Sequence, residues 1–287
     1  MSNLRIGVPS KGRLAESVSE LMDEAGLKFR RSDRRLFARV RDMPIDVVFL
    51  RAHDIPVLCA EGALDLGVTT RDKLEESGQD VGDRIIHRLN LGFGHCRMAF
   101  CVPEDSPFQK PADLDGSRIA TSNPAIVQRY FDEHNISGHI VKLSGSVEIM
   151  ISLGVADAIV DIIETGSTLA ANRLRILAEI GHYQTVMVQS ATAGSPEVCD
   201  RVVRRLQGIV IARSYSMLEY NIPETSLAAA EKLTPGFESP TISRLEEAGW
   251  LSVRSMVKRN EVIETMERLE NLGATAILET AISHCRP

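Results

Sequence analysis

The sequence predicts an α/β protein built from two lobes and a smaller C-terminal domain. Short apolar runs alternate with helix-like segments over residues 1–210, a pattern typical of sheets with parallel strands. A polar stretch with several prolines, 103–117, follows the apolar run 97–102 and indicates a passage from one lobe into the next. The last part of the chain, 212–287, has a different order of elements, which indicates a separate domain.

The two lobes are predicted from the positions of their apolar runs. The predicted strands are 4–8, 45–50, 64–68, 97–102, 118–122, 139–143, 157–163 and 185–189. The predicted helices are 13–25, 54–61, 124–134, 146–153 and 196–212. Ligands of α/β sheets bind beyond the carboxyl ends of the strands, so polar residues that follow several of these strands indicate a cleft between the lobes.

The C-terminal domain is predicted from a second set of elements. Strands are expected at 215–222, 241–246, 250–257 and 274–282, and helices at 223–233 and 261–273. Pro223 fits the first turn of one helix, and Gly273 fits the end of the other. The resulting β-α-β-β-α-β order is the ferredoxin-like pattern, and folds of this kind often serve as small regulatory modules.

Composition excludes several classes of partner. The chain has 287 residues, 44% of them hydrophobic, and a net charge of −6 without a basic cluster, which argues against nucleic acid as the main partner. No apolar run approaches the ~20 residues of a membrane span, and the N-terminus does not read as a signal peptide. The five cysteines form no CxxC pair, which is typical of reduced thiols. We therefore expect a cytoplasmic protein that binds neither nucleic acid nor membrane.

The segment 161–169, "DIIETGSTL", ends a buried strand in hydroxyls and opens a helix. Free backbone N–H groups and hydroxyls at such a turn favour an anion, and Gly166 lets the backbone approach it closely. Asp161 and Glu164 would repel a bare phosphate but would accept hydrogen bonds from sugar hydroxyls. A phosphorylated sugar therefore fits both halves of the segment. A helix start capped by its own hydroxyls explains the segment equally well.

Other strand ends also carry charged residues. Lys11 and Arg13 lie on a turn after the first strand and could hold phosphate oxygens, although a solvated turn is the better explanation of this segment taken alone. Arg51 follows a fully apolar strand, and Asp72 follows the next one. Glu148 lies in the first turn of a predicted helix. Together these positions indicate an anionic small-molecule ligand between two lobes.

Several segments together resemble ATP phosphoribosyltransferase of the long form, the first enzyme of histidine biosynthesis. The match runs nearly end to end, and its central and "PGFESPT" segments are highly specific. The matching segments are "SKGRL" (10–14), "RIATSNPAIVQRY" (118–130), "LSGSVEI" (143–149), "GVADAIVDIIETGSTLAANRL" (154–174), "PGFESPTISRL" (235–245) and "TMERLENLGATAIL" (265–278).

The resemblance implies a reaction and a domain organisation. N1 of the adenine of ATP attacks C1 of phosphoribosyl pyrophosphate, and pyrophosphate leaves with the cofactor Mg²⁺. The implied fold has two lobes like those of periplasmic solute-binding proteins, followed by a regulatory domain that binds histidine. The implied bounds are 1–92 with 185–211 for lobe I, 93–184 for lobe II and 212–287 for the regulatory domain.

The resemblance also implies partners. ATP and phosphoribosyl pyrophosphate are the substrates, L-histidine is an inhibitor, and AMP and ADP are further candidate ligands. Copies of the chain are expected to form dimers that assemble into hexamers.

The resemblance and the charged strand ends together predict the binding residues. Of the candidate cations, only Lys11 and Arg13 lie in a matching segment, and Arg97 could equally be a surface residue at the passage between the lobes. The predicted substrate-binding residues are Lys11, Arg13, Arg51, Asp72, Arg97, Glu148, Asp161, Glu164, Thr165, Gly166, Ser167, Thr168 and Leu169; the predicted histidine-binding residues are Asn221, Ser239, Thr241 and Ala276. The transfer needs two polyanions to be positioned and a leaving group to be neutralised, so we assign no general base. Mg²⁺ is expected to bind mainly substrate oxygens, with no direct protein ligand.

Two other classes of function also account for part of the sequence. A two-lobe binding or sensor protein without catalysis explains the lobes but leaves the 161–169 segment without a role. A nucleotide-regulated binding module centred on the C-terminal domain explains less.

Overall fold

The computed structural model describes residues 3–30, 35–164 and 166–286. In these ranges the strands are β1 (Leu4–Pro9), β2 (Phe37–Arg39), β3 (Ile45–Leu50), β4 (Leu66–Thr70), β5 (Ile85–Asn90), β6 (Cys96–Pro103), β7 (Arg118–Thr121), β8 (His139–Lys142), β9 (Ala158–Ile163), β10 (Leu174–Tyr183), β11 (Thr185–Ser190), β12 (Tyr215–Pro223), β13 (Thr241–Arg244), β14 (Trp250–Lys258) and β15 (Thr275–Ala281). The helices are α1 (Arg13–Glu24), α2 (Asp54–Ala60), α3 (Arg71–Glu76), α4 (Gln79–Gly82), α5 (Pro124–His134), α6 (Ser167–Ala171), α7 (Pro196–Ser214), α8 (Leu227–Leu233) and α9 (Val262–Asn271).

The strands form three sheets, and the chain forms two compact units. The first unit contains a six-stranded and a five-stranded sheet, and the second contains a four-stranded sheet. The units are composed of Met1–Asp23 with Leu27–Val203, and of Glu24–Gly26 with Arg204–Pro287. Within the described ranges, no helix is both long and apolar enough to cross a bilayer.

The six-stranded sheet has the order β2-β3-β1-β4-β11-β5. β1 pairs in parallel with β3 on one side and β4 on the other. The carboxyl ends of these three strands therefore lie at one edge of the sheet, where their loops meet. β11 returns from far along the chain to pair antiparallel with β4 and β5.

Two glycines let α2 lie close to this sheet. Gly7 and Gly67 are paired in the ladder between β1 and β4. A Cβ atom at Gly7 would lie 2.5 Å from Leu64 Cδ1, and one at Gly67 would lie 2.4 Å from Ile55 Cγ2. Real Cβ atoms do not approach other carbons so closely, so a larger residue at Gly67 would displace Ile55 of α2, and one at Gly7 would displace the Leu64 side chain that follows α2.

The five-stranded sheet has the order β10-β6-β9-β7-β8. β9 lies in its centre, parallel to β7 and antiparallel to β6. The core is apolar and includes Phe100 of β6, whose ring stacks on Phe131 of α5 with centroids 5.9 Å apart. The buried position of β9 brings the segment that follows it to the carboxyl edge of the sheet.

Polar contacts join α3, beside the six-stranded sheet, to α5, beside the five-stranded sheet. The Glu76 carboxylate accepts hydrogen bonds from the backbone N–H groups of Ala125 and Ile126 in the first turn of α5, at 3.0 and 3.1 Å. Arg129 donates to Glu75 at 2.7 Å. A carboxylate suits the positive end of a helix, so these contacts tie the two sheets together.

The C-terminal unit confirms the predicted β-α-β-β-α-β order. Its antiparallel sheet has the order β13-β14-β12-β15, and α8 and α9 connect the strands. Leu218 and Tyr220 of β12 are fully buried, and the Tyr220 hydroxyl lies 2.7 Å from the Thr234 hydroxyl. Buried apolar residues at every second position of β12 produce one inner face, as the alternation in the sequence predicts.

Some elements differ from those predicted. The helix expected at 146–153 is only a short 3-10 turn over Val147–Met150, preceded by Ser146 with a φ of +51°. A residue in the left-handed region cannot be the first turn of a regular helix, so the segment stays irregular. The sequence did not predict the strands β2, β5 and β10 or the helices α3 and α4, whereas α6 is the helix expected to open at the end of the 161–169 segment.

Candidate active site

The carboxyl end of β9 opens into a cavity of about 350 Å³. Gly166 adopts a φ of +82° just before α6, which lets the chain turn sharply from strand to helix. Most of the residues predicted to bind the sugar substrate meet here. The lining residues are Arg13, Glu148, Asp161, Ile162, Ile163, Glu164, Gly166, Ser167, Thr168 and Leu169. Thr165, also predicted, lies outside the described residues.

Asp161 is a half-buried acid that follows three buried residues of β9. Burial raises the pKa of its carboxyl group above the ordinary value, and the hydrogen bond from the Ile162 backbone N–H at 2.8 Å lowers it. Two nearby charges have smaller effects: Glu148 raises the pKa and Lys73 lowers it. The carboxylate therefore has few water molecules to satisfy it. Hydroxyl groups of a ligand are the partners that it would accept from.

Arg13 and Glu164 form an ion pair across the cavity. Arg13 begins α1 beside the six-stranded sheet, and Glu164 follows β9 of the five-stranded sheet. Their side chains are 83% and 51% exposed, so the pair contributes little stability and exchanges readily for a ligand. Two predicted site residues thus meet although they are far apart in the chain.

A second cavity, of about 410 Å³, lies at the carboxyl ends of β1 and β3. Lys11 and Arg51 both line it, because Pro9 of β1 is paired with Leu50 of β3 and each cation follows its strand. Gly12, with a φ of +78°, forms the turn between β1 and α1. Two exposed cations on neighbouring loops form an arrangement that suits a polyphosphate.

Two other predicted residues, Asp72 and Arg97, are not among the described residues that line these two cavities. Asp72 is fully buried at the start of α3, and its carboxylate lies 3.1 Å from Lys73 Nζ. Arg97 lies on β6 opposite Ile163 and pairs with Glu179 of β10. Both are close to the carboxyl edge of a sheet; the Asp72 side chain is buried, whereas the Arg97 side chain is paired with Glu179 but 40% exposed.

The predicted histidine-binding residues lie on the C-terminal sheet. Asn221 of β12 is paired with Thr275 of β15, and Ala276 follows with a φ of +48° at an irregularity of the ladder. Thr241 begins β13 at the opposite edge, and Ser239 precedes it. Since β14 and β12 lie between the edges, Thr241 and Ala276 are separated by about three strand spacings, or about 14 Å. A single histidine does not span that distance within one chain.

Two polar residues near the site were not among those predicted. Lys73 follows Asp72 directly, and its ammonium donates to Asn123 Oδ1 at 2.8 Å. Asn123 is fully buried before α5. Lys73 could have been predicted from the sequence, because an acid and a lysine directly follow a strand end there. Asn123 lies in one of the matching segments, but no neighbouring residue in the sequence indicates its contact with Lys73.

The buried cysteines do not provide a nucleophile. Burial raises the pKa of Cys59 and of Cys101 to about 12. Thiols with such pKa values are protonated at neutral pH, and the protonated form is the weak nucleophile.

Comparisons with known proteins cover nearly the whole chain. The family model described as "ATP phosphoribosyltransferase", HisG, matches residues 51–208, and the model "HisG, C-terminal domain" matches residues 212–284. An ATP phosphoribosyltransferase of Rhodopirellula baltica is 56% identical over 99% of this chain and 94% of its own length. One from Saccharopolyspora erythraea is 41% identical over 99% of both chains.

Solved structures with a similar fold were also found. A chain of the ATP phosphoribosyl transferase (HisG:HisZ) complex from Thermotoga maritima has a TM-score of 0.60 and 31% identity. The match covers 71% of this chain and 96% of that chain. XAC2383 from Xanthomonas citri, bound to chloride ion, has a TM-score of 0.51 and 15% identity over 74% of this chain and 84% of its own, and shares the fold alone.

Proposed function

The chain belongs to the ATP phosphoribosyltransferase family, and from this premise we propose which of its residues bind the two substrates. The enzyme transfers the phosphoribosyl group of phosphoribosyl pyrophosphate to N1 of ATP and releases pyrophosphate, in the first step of histidine biosynthesis. The predicted family, reaction and α/β fold class are thereby confirmed. The observation that carries the proposal is the cavity after β9, which combines acids, hydroxyls and a turn of backbone N–H groups.

We assign the cavity after β9 to the ribose and its 5′-phosphate. Gly166, Ser167 and Thr168 offer backbone N–H groups and hydroxyls to the phosphate, and Thr165, which directly precedes them in the sequence, is proposed to join them. Asp161 and Glu164 accept hydrogen bonds from the ribose hydroxyls. Arg13 leaves its ion pair with Glu164 when the sugar phosphate arrives, which frees the carboxylate for the ribose and the guanidinium for phosphate oxygens.

We assign the cavity between β1 and β3 to polyphosphate. Lys11 and Arg51 line it, and their charges suit the triphosphate of ATP or the pyrophosphate leaving group. The transition state places positive charge on the sugar and negative charge on pyrophosphate, so positioned cations and acids supply most of the catalysis. Glu148 and Leu169 complete the sugar cavity, and Arg97 and Asp72 remain proposed substrate contacts.

A divalent metal ion generally accompanies phosphoribosyl transfer, and we propose Mg²⁺. Glu148, Asp161 and Glu164 bring the hard oxygen donors that Mg²⁺ prefers to one cavity. Among the described residues, no three His, Cys, Asp or Glu side chains cluster closely enough to form a complete site. Substrate oxygens would therefore supply most ligands, and the bound ion neutralises the charge of the departing pyrophosphate.

The test of this function is the release of pyrophosphate. The purified chain should release it only when ATP, phosphoribosyl pyrophosphate and Mg²⁺ are all present, and omission of either substrate is the control. A two-lobe binding or sensor protein would bind ligands without producing pyrophosphate. No release with both substrates would overturn the proposed site.

Lys11→Ala should weaken ATP binding about three- to tenfold, because one cation of the polyphosphate cavity is lost. The loss should shrink at high salt, where charge attraction is screened. Calorimetric titration of ATP and adenosine at low and high salt measures both effects. Lys28→Ala removes an exposed lysine of the same unit and serves as control. An equal loss of affinity for adenosine, which has no phosphate, would show that Lys11 does not serve the polyphosphate.

The C-terminal domain is proposed to bind L-histidine and to reduce activity from a distance. Ala276 lies on the edge strand β15 and Asn221 on the neighbouring inner strand β12, whereas Thr241 begins the opposite edge strand β13 and Ser239 precedes it. A shared histidine site therefore needs edges from two copies of the chain, which agrees with the proposed dimers and hexamers. AMP and ADP are proposed as further nucleotide ligands of the catalytic part.

The proposed lobes are 1–92 with 185–211, and 93–184, with the regulatory domain at 212–287. The five-stranded sheet is formed within the second range, and the six-stranded sheet within the first. The cytoplasm is the proposed location, in keeping with five cysteines that are all unpaired in the described chain.

A further inference from the structure

The helix α5 receives its N-terminal cap from beside the other sheet. Pro124 begins α5 and has no N–H group, so the first donors of the helix are the backbone N–H groups of Ala125 and Ile126. Asn123 occupies the N-cap position but forms no side-chain cap hydrogen bond. The Glu76 carboxylate at the end of α3 caps the helix instead, at 3.0 Å from the Ala125 nitrogen and 3.1 Å from the Ile126 nitrogen.

Two further polar contacts join the same two helices. Asn123 accepts a hydrogen bond from the Lys73 ammonium at 2.8 Å, and Arg129 donates to Glu75 at 2.7 Å. The apolar face of α5 packs elsewhere, because Phe131 and its buried neighbours belong to the core of the five-stranded sheet. A polar contact of this kind is typical of surfaces between parts of a chain that move relative to each other.

The chain passes between the two sheets through short segments. Residues 91–95 lead from β5 to β6, and Gln184 leads back from β10 to β11. Gly92 and Gly94 in the first segment have φ values of +75° and +66°. A few residues that absorb changes in backbone angle are enough for a hinge. The angle between the sheets is therefore fixed by contacts outside these segments, and the α3–α5 contact is one of them.

This angle determines the distance between the two proposed substrate sites. Lys11 and Arg51 follow strands of the six-stranded sheet, whereas Asp161 and Glu164 belong to β9 and the residue after it. Transfer requires the reacting atoms to lie about 3–3.5 Å apart and in line, and a displacement of about 1 Å can lower the rate about a hundredfold. A residue that fixes the angle therefore affects turnover without touching either substrate.

We propose that Glu76 is a positioning residue of the transfer reaction: by capping α5 from α3, it holds the two sheets at the angle that brings the substrates together. The proposal rests on the assignment of the two cavities made above. Glu76 is not among the described residues that line either cavity. Its loss should therefore lower kcat much more than it weakens the binding of a ligand to one sheet.

The experiment compares variants of the full chain. Glu76→Ala removes the cap, Glu76→Gln keeps an oxygen acceptor in its place, and Arg129→Met breaks the neighbouring contact from the side of α5. Asp113→Ala is the matched control. The Asp113 carboxylate also accepts from two backbone N–H groups, those of Gln109 and Lys110, but all three residues lie between β6 and β7 of one sheet.

Three measurements are made on each protein. Initial rates with both substrates give kcat and KM, and thermal unfolding gives the stability. Calorimetry gives the Kd of ribose 5-phosphate, which carries the ribose and its phosphate but no pyrophosphate and so tests the sugar cavity alone. In the wild type and in Glu76→Ala, hydrogen exchange of the Ala125 and Ile126 amides reports whether the cap is present.

We expect Glu76→Ala to lower kcat about tenfold and to change the Kd of ribose 5-phosphate less than about threefold. Its Ala125 and Ile126 amides should exchange faster than in the wild type. Glu76→Gln should recover most of kcat, and Arg129→Met should lower kcat by a smaller factor than Glu76→Ala. Asp113→Ala should unfold earlier but keep the wild-type kcat.

A folded Glu76→Ala protein with wild-type kcat would overturn the proposal, and so would an equal fall in kcat with Asp113→Ala. A loss of ribose 5-phosphate affinity as large as the loss of kcat would show a damaged cavity and overturn it as well. If Glu76→Ala does not fold, Arg129→Met decides by the same criteria. A wild-type protein that does not bind ribose 5-phosphate would overturn the assignment of the sugar cavity itself, which separates the two conclusions.

Discussion

Asp161→Asn is expected to lower kcat/KM for phosphoribosyl pyrophosphate by roughly ten- to a hundredfold. The carboxylate lies in the second half of strand β9 and lines the cavity assigned to the ribose. Loss of a charge-assisted hydrogen bond to a sugar hydroxyl in the transition state costs about 1.5–3 kcal/mol. Asn keeps the size of the side chain, so the cavity is preserved while its charge is removed.

Thermal unfolding of this variant should be unchanged or slightly improved. Burial raises the pKa of the Asp161 carboxyl group, which means that the folded protein disfavours the ionised form. At neutral pH the wild type therefore loses some stability by holding this charge, and Asn removes the cost. Stability and activity thus respond in opposite directions, as expected for a site residue.

Initial rates with phosphoribosyl pyrophosphate varied at saturating ATP measure the effect. Asp157→Asn is the matched control, because Asp157 directly precedes the same strand but pairs with Arg118 outside the cavity. The control should reduce stability slightly and leave kcat/KM near the wild-type value. A well-folded Asp161→Asn enzyme with wild-type kinetics would refute the assignment.

A chain that ends at Ser214 is expected to keep transfer activity and to lose all inhibition by L-histidine. Both substrate cavities lie in the first unit, and the C-terminal unit has its own core around Tyr220. The match to a chain of the ATP phosphoribosyl transferase (HisG:HisZ) complex from Thermotoga maritima covers 71% of this chain and 96% of that chain, so a related fold of about this extent exists. Ending at Ser214 keeps α7 complete, including the ion pair between Arg213 and Glu24.

Inhibition at a distance requires histidine to bind two states of the enzyme unequally, typically by about 1–3 kcal/mol, or five- to 150-fold. Assays of both chain lengths over a range of histidine concentrations measure the loss. Asn221→Asp in the full chain is the companion variant: an acid there can pair with the histidine ammonium and should strengthen inhibition. A shortened, active chain that histidine still inhibits as strongly as the full chain would place the regulatory site elsewhere.

The elements that the sequence predicted well are those whose signal is local. β9 is an apolar run followed by a glycine-containing turn, and both its position and the cavity after it were predicted from neighbouring residues. The C-terminal order of strands and helices was predicted for the same reason, since alternating burial along β12 and β14 is visible in the sequence.

β5 and β10 were missed because their sequences lack that signal. β10, "LRILAEIGHY", contains helix-favouring residues and is mostly half-buried, and it is a strand because β6 pairs with it along its length. β5 is an edge strand with exposed polar residues, and its partner β11 lies far along the chain. In both strands the pairing partner overrides the weak local preference.

The amino-acid sequence by itself determined the α/β class, the family and the segment that forms the sugar cavity. Only the tertiary structure decided which distant side chains meet: Arg13 with Glu164, 151 residues apart, and Lys73 with Asn123, 50 apart. It also decided that Thr241 and Ala276 lie on opposite edges of one sheet. Apolar periodicity records which face of each element is buried, whereas the order in which strands pair depends on contacts between remote parts of the chain, which no local pattern encodes.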